Sequence, residues 1–170
     1  MRIIEMQIRR YTLSDTETLW QLVFNTVHQI NSRDYTPEQI NAWMPKEIDK
    51  SWWENEFSNK LPFILHDKNS VYGYADVQLN GHINHFFISS NCQREGKGTA
   101  LLNELIHHAI EMGLKEITIE ASITAKPFFE HHGFFVVCVV FVAFLFFFFF
   151  CCCCCWFWCC FWLSLFLFFF

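Results

Sequence analysis

Gln93-Arg94-Glu95-Gly96-Lys97-Gly98-Thr99-Ala100 lies between the apolar run Phe86-Phe87-Ile88 and a segment of helical period. In that segment Leu101, Leu102, Leu105, Ile106, Ala109 and Ile110 share one stripe, with Asn103, Glu104, His107, His108 and Glu111 opposite. The order strand, glycine turn, helix aims unpaired main-chain N–H groups and the positive end of a helix at one point. Gly96 and Gly98 have no Cβ, so a bulky anion can approach the main chain closely. The stretch therefore reads as a phosphate cradle.

Two common phosphate loops do not fit it. A Walker loop needs four residues between its glycines, followed by Gly-Lys-Ser/Thr, and Gly96-Lys97-Gly98-Thr99 breaks that spacing. A dinucleotide fingerprint has three glycines opening the first βαβ unit, whereas here two stand late in the chain. Gln93-Arg94-Glu95-Gly96-Lys97-Gly98 instead resembles the Q/R-x-x-G-x-G/A signature of the GNAT acyltransferases. A second stretch, Ala125-Lys126-Pro127-Phe128-Phe129-Glu130-His131-His132-Gly133-Phe134, is similar to that family's downstream A-x-x-F-[YF]-E-x-x-G-F motif. The resemblance spans about residues 6–136.

Element patterning agrees with an α+β fold of the GNAT plan: a mixed, mostly antiparallel sheet flanked by helices. Ile8–Tyr11 reads as a first strand. Ser14 and Glu17 frame a capping box ahead of a helix that presents Leu19, Val23, Val27 and Ile30 on one face. Thr36, Pro37 and Gln39 open a second helix ending before Pro45, and residues 49–59 suit a third, short one. Pro62–His66 and the alternating Val71–Leu79 are predicted strands, with Asn80-Gly81 a hairpin signal before the strand His82–Ile88. Gly113 is the expected stop of the cradle helix. Lys115–Ala121 is the next strand, and Ile123–His132 a last short helix.

The resemblance implies acetyl-CoA as acyl donor and substrate, with no metal. Its pyrophosphate would be held by main-chain groups of Arg94, Glu95, Gly96, Lys97, Gly98 and Thr99, with the Gln93 and Arg94 side chains available to phosphate. Phe86, Phe87 and Ile88 would pair their main chain with the pantetheine arm, and Ser122 stands where relatives have a cofactor-contacting Asn. Counting back from Ile88 to the site where several branches place the base gives His82, with Asn84 two residues on. Where the family commonly has a Tyr that protonates the departing thiolate, this chain has Phe129, which cannot donate. That departure implies either a slower enzyme or a non-catalytic acyl-CoA-binding module.

The acceptor implied is a primary amine of a small molecule or peptide. Tyr35, Trp43, Trp52 and Trp53, with Asp34, Glu38, Glu47, Asp49 and Glu54, lie in the region that shapes its pocket in relatives. Ordinary packing and a solvated face would account for them equally. A net charge of −5 without a basic stripe speaks against a nucleic-acid partner. His107-His108 and His131-His132 are adjacent pairs rather than metal-binding i, i+4 pairs. A second copy of the chain, forming a homodimer, is a further candidate partner.

Composition divides the chain sharply. Residues 1–133 hold every charged residue and all 8 histidines; residues 134–170 hold 15 of the 22 Phe and eight of the 9 Cys. Residues 1–136 are read as the acetyltransferase domain, with its last strands missing or replaced, and residues 137–170 as a low-complexity Phe/Cys tail. Each residue type in the tail has a codon free of adenine, and none of the ten types that require adenine occurs from 134 onward. All stop codons contain adenine, so such a tract stays open in any frame, and the tail reads as translation of a misassembled or repetitive sequence. An apolar membrane anchor is one alternative, since the tail exceeds the roughly 20 residues a bilayer requires, and a metal- or redox-active Cys cluster is another. Cys92 alone among residues 1–133 and a charged N-terminus suggest a cytoplasmic protein, membrane-attached only if the tail is genuine.

Overall fold

The computed structural model describes residues 6–47, 49–142 and 162–169; of residues 137–142 and 162–169 it describes the strands only. There are two four-stranded sheets, and the segment leading into the cradle gives one strand to each. The first has the order β1-β2-β3-β5, from β1 (Gln7–Arg10), β2 (Phe63–His66), β3 (Val71–Ala75) and β5 (Phe86–Ile88). All its pairings are antiparallel. The second has the order β4-β6-β8-β7, from β4 (His82–Ile83), β6 (Ile117–Ala121), β8 (Trp162–Phe169) and β7 (Phe135–Val142). Only β4 with β6 is parallel. β6 is paired antiparallel with β8 from Ile117 to Ala121.

Helices cover both faces. α1 (Thr16–Gln29), α2 (Pro37–Trp43) and α3 (Lys50–Lys60) bury Leu19, Val23, Val27, Ile40 and Phe57 against Ile64 and Tyr74. On the other face α4 (Lys97–Glu111) and α5 (Lys126–His131) pack Leu101, Leu102, Leu105 and Phe129 against Leu65, Ala75, Ile83, Ile88 and Ile119. Each fully buried leucine of α4 contributes about 1.5–3 kcal/mol of apolar transfer. Successive β2 residues serve opposite cores, Leu65 one and Ile64 the other, which is the period-2 rule of a strand covered on both sides.

Three local expectations change. The first helix is not boxed by Ser14 and Glu17. A short 3₁₀ turn precedes it, and there the Asp15 carboxylate accepts from the Thr12 N–H and hydroxyl, both at 2.8 Å. The Arg9 guanidinium clamps the same carboxylate through two bonds of 2.7 Å, so a tertiary partner selected Asp15. The strand predicted over Val71–Leu79 ends at Ala75, and Leu79 is exposed. The strand predicted over His82–Ile88 is broken into β4 and β5. Both breaks have one cause, the buried side chain of Asp76.

Candidate active site

Asp76 is fully buried and follows directly on β3. Its main-chain N–H donates to the His85 carbonyl at 3.1 Å, as an antiparallel ladder requires. The reciprocal bond is altered: the His85 N–H donates at 2.9 Å to the Asp76 carboxylate rather than to the Asp76 carbonyl. The carboxylate also accepts from Gln78 Nε2 at 2.6 Å and Asn84 Nδ2 at 3.2 Å. At this point the chain leaves β6, which β4 accompanies, and continues as β5 beside β3. The sheet therefore forks, with β5 on one side and β6 on the other.

Among the described residues, the fork leaves one edge of β5 without a strand. His85 O accepts from Asp76 N and Ser89 N donates to Tyr72 O, so these alternate residues turn their main chain toward β3. Phe86 and Ile88 then turn theirs outward. Ile88 O is taken by Gln93 Nε2 at 2.6 Å and Thr26 Oγ1 at 3.2 Å, leaving the Ile88 N–H and both Phe86 groups to the fork.

The cradle opens beside that edge. Gly96 is the N-cap of α4 at φ 78°, and Arg94 also has positive φ, 62°. The first intrahelical bond is Ala100 N–H to Gly96 O, so the N–H groups of Lys97, Gly98 and Thr99 point out of the helix end. A Cβ on Gly96 would meet no atom within 4 Å; one on Gly98 would lie 3.0 Å from the Phe128 ring. The two glycines thus act differently: Gly96 makes the left-handed turn and borders open space, while Gly98 makes room for α5.

Side chains expected at phosphate divide as well. Gln93 spends both amide hydrogens on the Ile88 and Ser89 carbonyls, at 2.6 and 3.1 Å, and so pins the loop to β5. Lys97 pairs with Glu95 and lies 4.4 Å over the Tyr72 ring. The exposed Arg94 has no ion-pair partner among the described residues. Thr99 bonds His132 Nε2 at 3.0 Å, and His132 Nδ1 lies 2.8 Å from the Phe128 carbonyl. Nδ1 is therefore the donor to that carbonyl, and in the neutral ring Nε2 accepts from the Thr99 hydroxyl.

Ser122 makes protein contacts: its hydroxyl accepts from Asn31 Nδ2 at 3.3 Å and from Ala125 N at 3.1 Å. Together with the Tyr35 hydroxyl, which accepts from Ile123 N at 2.9 Å, this ties the segment after α1 to the segment after β6. Burial raises the Tyr35 phenol above its ordinary range, the Ile123 N–H opposing it. Phe129 is 1 % exposed and its ring lies 5.2 Å from both Phe86 and Phe134, a wholly apolar setting.

His82 and Asn84 stand in different settings. His82 is on β4, its Nδ1 2.8 Å from Thr118 Oγ1 of β6, before the fork. Asn84 is at the fork, on Asp76. The residue next to it, His85, was not picked out by counting along the strand. Its ring lies among Trp53, Phe57, Tyr74 and Phe87, with Nδ1 3.5 Å from Asp76 and Nε2 3.8 Å from Glu56. Burial holds its imidazole below the ordinary value although Asp76 and Glu56 pull upward. The one available sequence signal was Asp76 itself, a carboxylate inside a strand of otherwise uncharged residues.

The profile of the family described as "Acetyltransferase (GNAT) domain" matches residues 31–143. The chain belongs to the GNAT acetyltransferase family. It is 33% identical over 129 residues to the uncharacterized N-acetyltransferase YafP of Escherichia coli (strain K12), covering 76% of this chain and 81% of that protein. The GCN5-related N-acetyltransferase structure from Rhodopseudomonas palustris superposes with a TM-score of 0.83 at 20% identity, over 99% of this chain and 97% of that one. The PaiA N-acetyltransferase of Thermoplasma acidophilum, crystallised with coenzyme A, gives a TM-score of 0.68 at 19% identity, over 78% and 91%. The GNAT fold expected from the two motifs is thus the fold observed. No helix among the described residues is long and apolar enough to cross a membrane, and no group of three or more metal-ligating side chains occurs among them.

Proposed function

We infer that this GNAT protein moves the acetyl group of acetyl-CoA to a primary amine of a small molecule or peptide. The observation that carries this reading is the fork: a β5 edge with no strand beside it among the described residues leads directly to a helix end with three outward N–H groups. An extended arm carrying amides can lie on the Phe86 and Ile88 main chain as an added strand, with its pyrophosphate at Lys97, Gly98 and Thr99. The open space over Gly96 and the unpaired Arg94 suit a multiply charged anion. Bound acetyl-CoA supplies an activated thioester; the chain must orient it, exclude water and remove a proton from the amine.

With Phe129 buried in an apolar cluster, the thiolate is protonated from solvent, which a sulfur leaving group tolerates. The same residue motivates the second reading, a non-catalytic acyl-CoA-binding module. Calorimetry with acetyl-CoA, followed by thiol release with a panel of amines, separates the two. Binding with turnover supports the transferase, and binding without turnover of any amine supports the module. No binding removes both. The apolar residues 137–170 are proposed not to be native to the domain, and resequencing across codons 133–137 tests that directly.

A further inference from the structure

We propose that His85 is the general base for the acceptor ammonium and that Asp76 is its positioning residue, a role that rests on the acetyl-transfer reading. The fork dictates on which face the base must stand. The side chain of Phe86 turns toward α5, its ring 5.4 Å from Phe128 and 5.2 Å from Phe129, and α4 and α5 fill that face. An amine approaching the thioester held along Phe86 therefore comes from the opposite face, that of α1–α3. His85, one residue earlier on the strand, presents its ring there, with its side chain 16% exposed.

Both main-chain groups of His85 are fixed to Asp76, the N–H at 2.9 Å and the carbonyl at 3.1 Å. The imidazole cannot move along the strand without breaking a buried carboxylate network. Its Nδ1 is buried without a hydrogen-bond partner and lies 3.5 Å from the Asp76 carboxylate. Taking up a proton converts that pair into an ion pair, and Glu56 adds a second negative charge at 3.8 Å. The groups that face the ring are Asp76 after β3, Glu56 and Lys60 on α3, and the Tyr74 phenol of β3, itself held far above its ordinary range by burial. Lys60 opposes the carboxylates and burial outweighs them, so the ring rests neutral and able to accept. His82 differs in both respects: it is bonded to Thr118 and sits on β4, where the sheet is still closed.

The step balances without a further reactant. The ammonium gives one proton to His85 Nε2, since Nδ1 is buried against Asp76, and the freed nitrogen lone pair forms the C–N bond to the acetyl carbonyl carbon. The C–S bond breaks with its electron pair on sulfur. The second nitrogen proton reaches the thiolate through solvent, and the imidazolium returns its proton to water.

The test compares the full chain with His85→Gln, Asp76→Asn and His82→Ala, measuring thiol release against pH, acetyl-CoA affinity by calorimetry, and imidazole titration by NMR. His85→Gln should lower turnover by ~10²–10⁴-fold with acetyl-CoA affinity unchanged. Asp76→Asn keeps an oxygen for the His85 N–H but removes the charge that favours the imidazolium. It should move the acid limb of the rate profile to lower pH, which mere loosening of the fold would not do. The NMR titration should show one imidazole, absent in His85→Gln, that stays neutral below the ordinary value of about 6.5. Turnover and acid limb retained in His85→Gln, or lost in His82→Ala alone, overturns the proposal. So does an imidazole of His85 that titrates at or above the ordinary value, an outcome readable even without turnover. Failure of the parent chain to turn over any amine while binding acetyl-CoA instead overturns the transferase reading.

Discussion

Replacing Gly96 by Asp tests the cradle with little disturbance to the fold. Gly96 has φ 78°, where most side chains cost roughly 1–2 kcal/mol, but Asp, whose short polar side chain can hydrogen-bond locally, is one of the few other residues found there. No atom lies within 4 Å of the position a Cβ would take, so no packing is lost. The expected stability cost is below about 1 kcal/mol, a fall in melting temperature of about 2–4 °C at most for a chain of this size. The effect on ligand is of another order. A carboxylate in that space meets a phosphate charge at about 4 Å, a repulsion of about 1 kcal/mol in water and about 4 kcal/mol at the partly shielded end of a helix. Acetyl-CoA affinity should therefore fall ~5- to 10³-fold. Thermal unfolding with acetyl-CoA at about 100 times the parent's dissociation constant would show it, because the parent gains about 2.7 kcal/mol from such a ligand and the variant between about 1.8 and about 0.1 kcal/mol. An unchanged ligand-induced shift in Gly96→Asp would place the pyrophosphate elsewhere and refute the cradle.

Gly98→Ala should act on stability instead. The gain of up to about 1 kcal/mol in helix propensity is outweighed by overpacking against Phe128, and a Phe128→Leu background should relieve it in a thermal-unfolding cycle. Tyr35→Phe removes the acceptor of the Ile123 N–H and should cost about 1 kcal/mol in urea unfolding. Below about pH 6.5 the unfolded chain protonates His85 while the folded chain resists, so stability should fall with falling pH in that window. Denaturant midpoints at two pH values should converge in His85→Gln. For Asp15 burial pushes the carboxyl up, yet the Arg9 guanidinium and Thr12 donors hold it below its ordinary range. That contribution is present above about pH 4 and should be lost as pH falls through the folded value, unless Arg9→Leu has removed it already.

The cradle, its helix and the GNAT class were legible from residues 93–134 because each rests on local rules: glycine at positive φ, an apolar stripe of helical period, and motif spacing along the chain. The Thr36 cap was legible for the same reason, since a cap bonds within its own turn. What the linear pattern did not contain was competition between distant groups. Alternation carried the strand from Val71 to Leu79, but the Asp76 carboxylate took the bond that would have continued the ladder, and the sheet forked there. Gln93 reads as a phosphate ligand in the motif, yet the Ile88 and Ser89 carbonyls are nearer and use both of its hydrogens. His82 comes from counting along a strand; the fork after Ile83 leaves it on β4, paired with Thr118 of β6, and turns His85 toward the opposite helices. Local chemistry along the chain decided which donor the protein is built for. Only the folded sheet set the two imidazoles in different surroundings, because the buried Asp76 carboxylate draws its partners from residues up to nine positions away, across the fork.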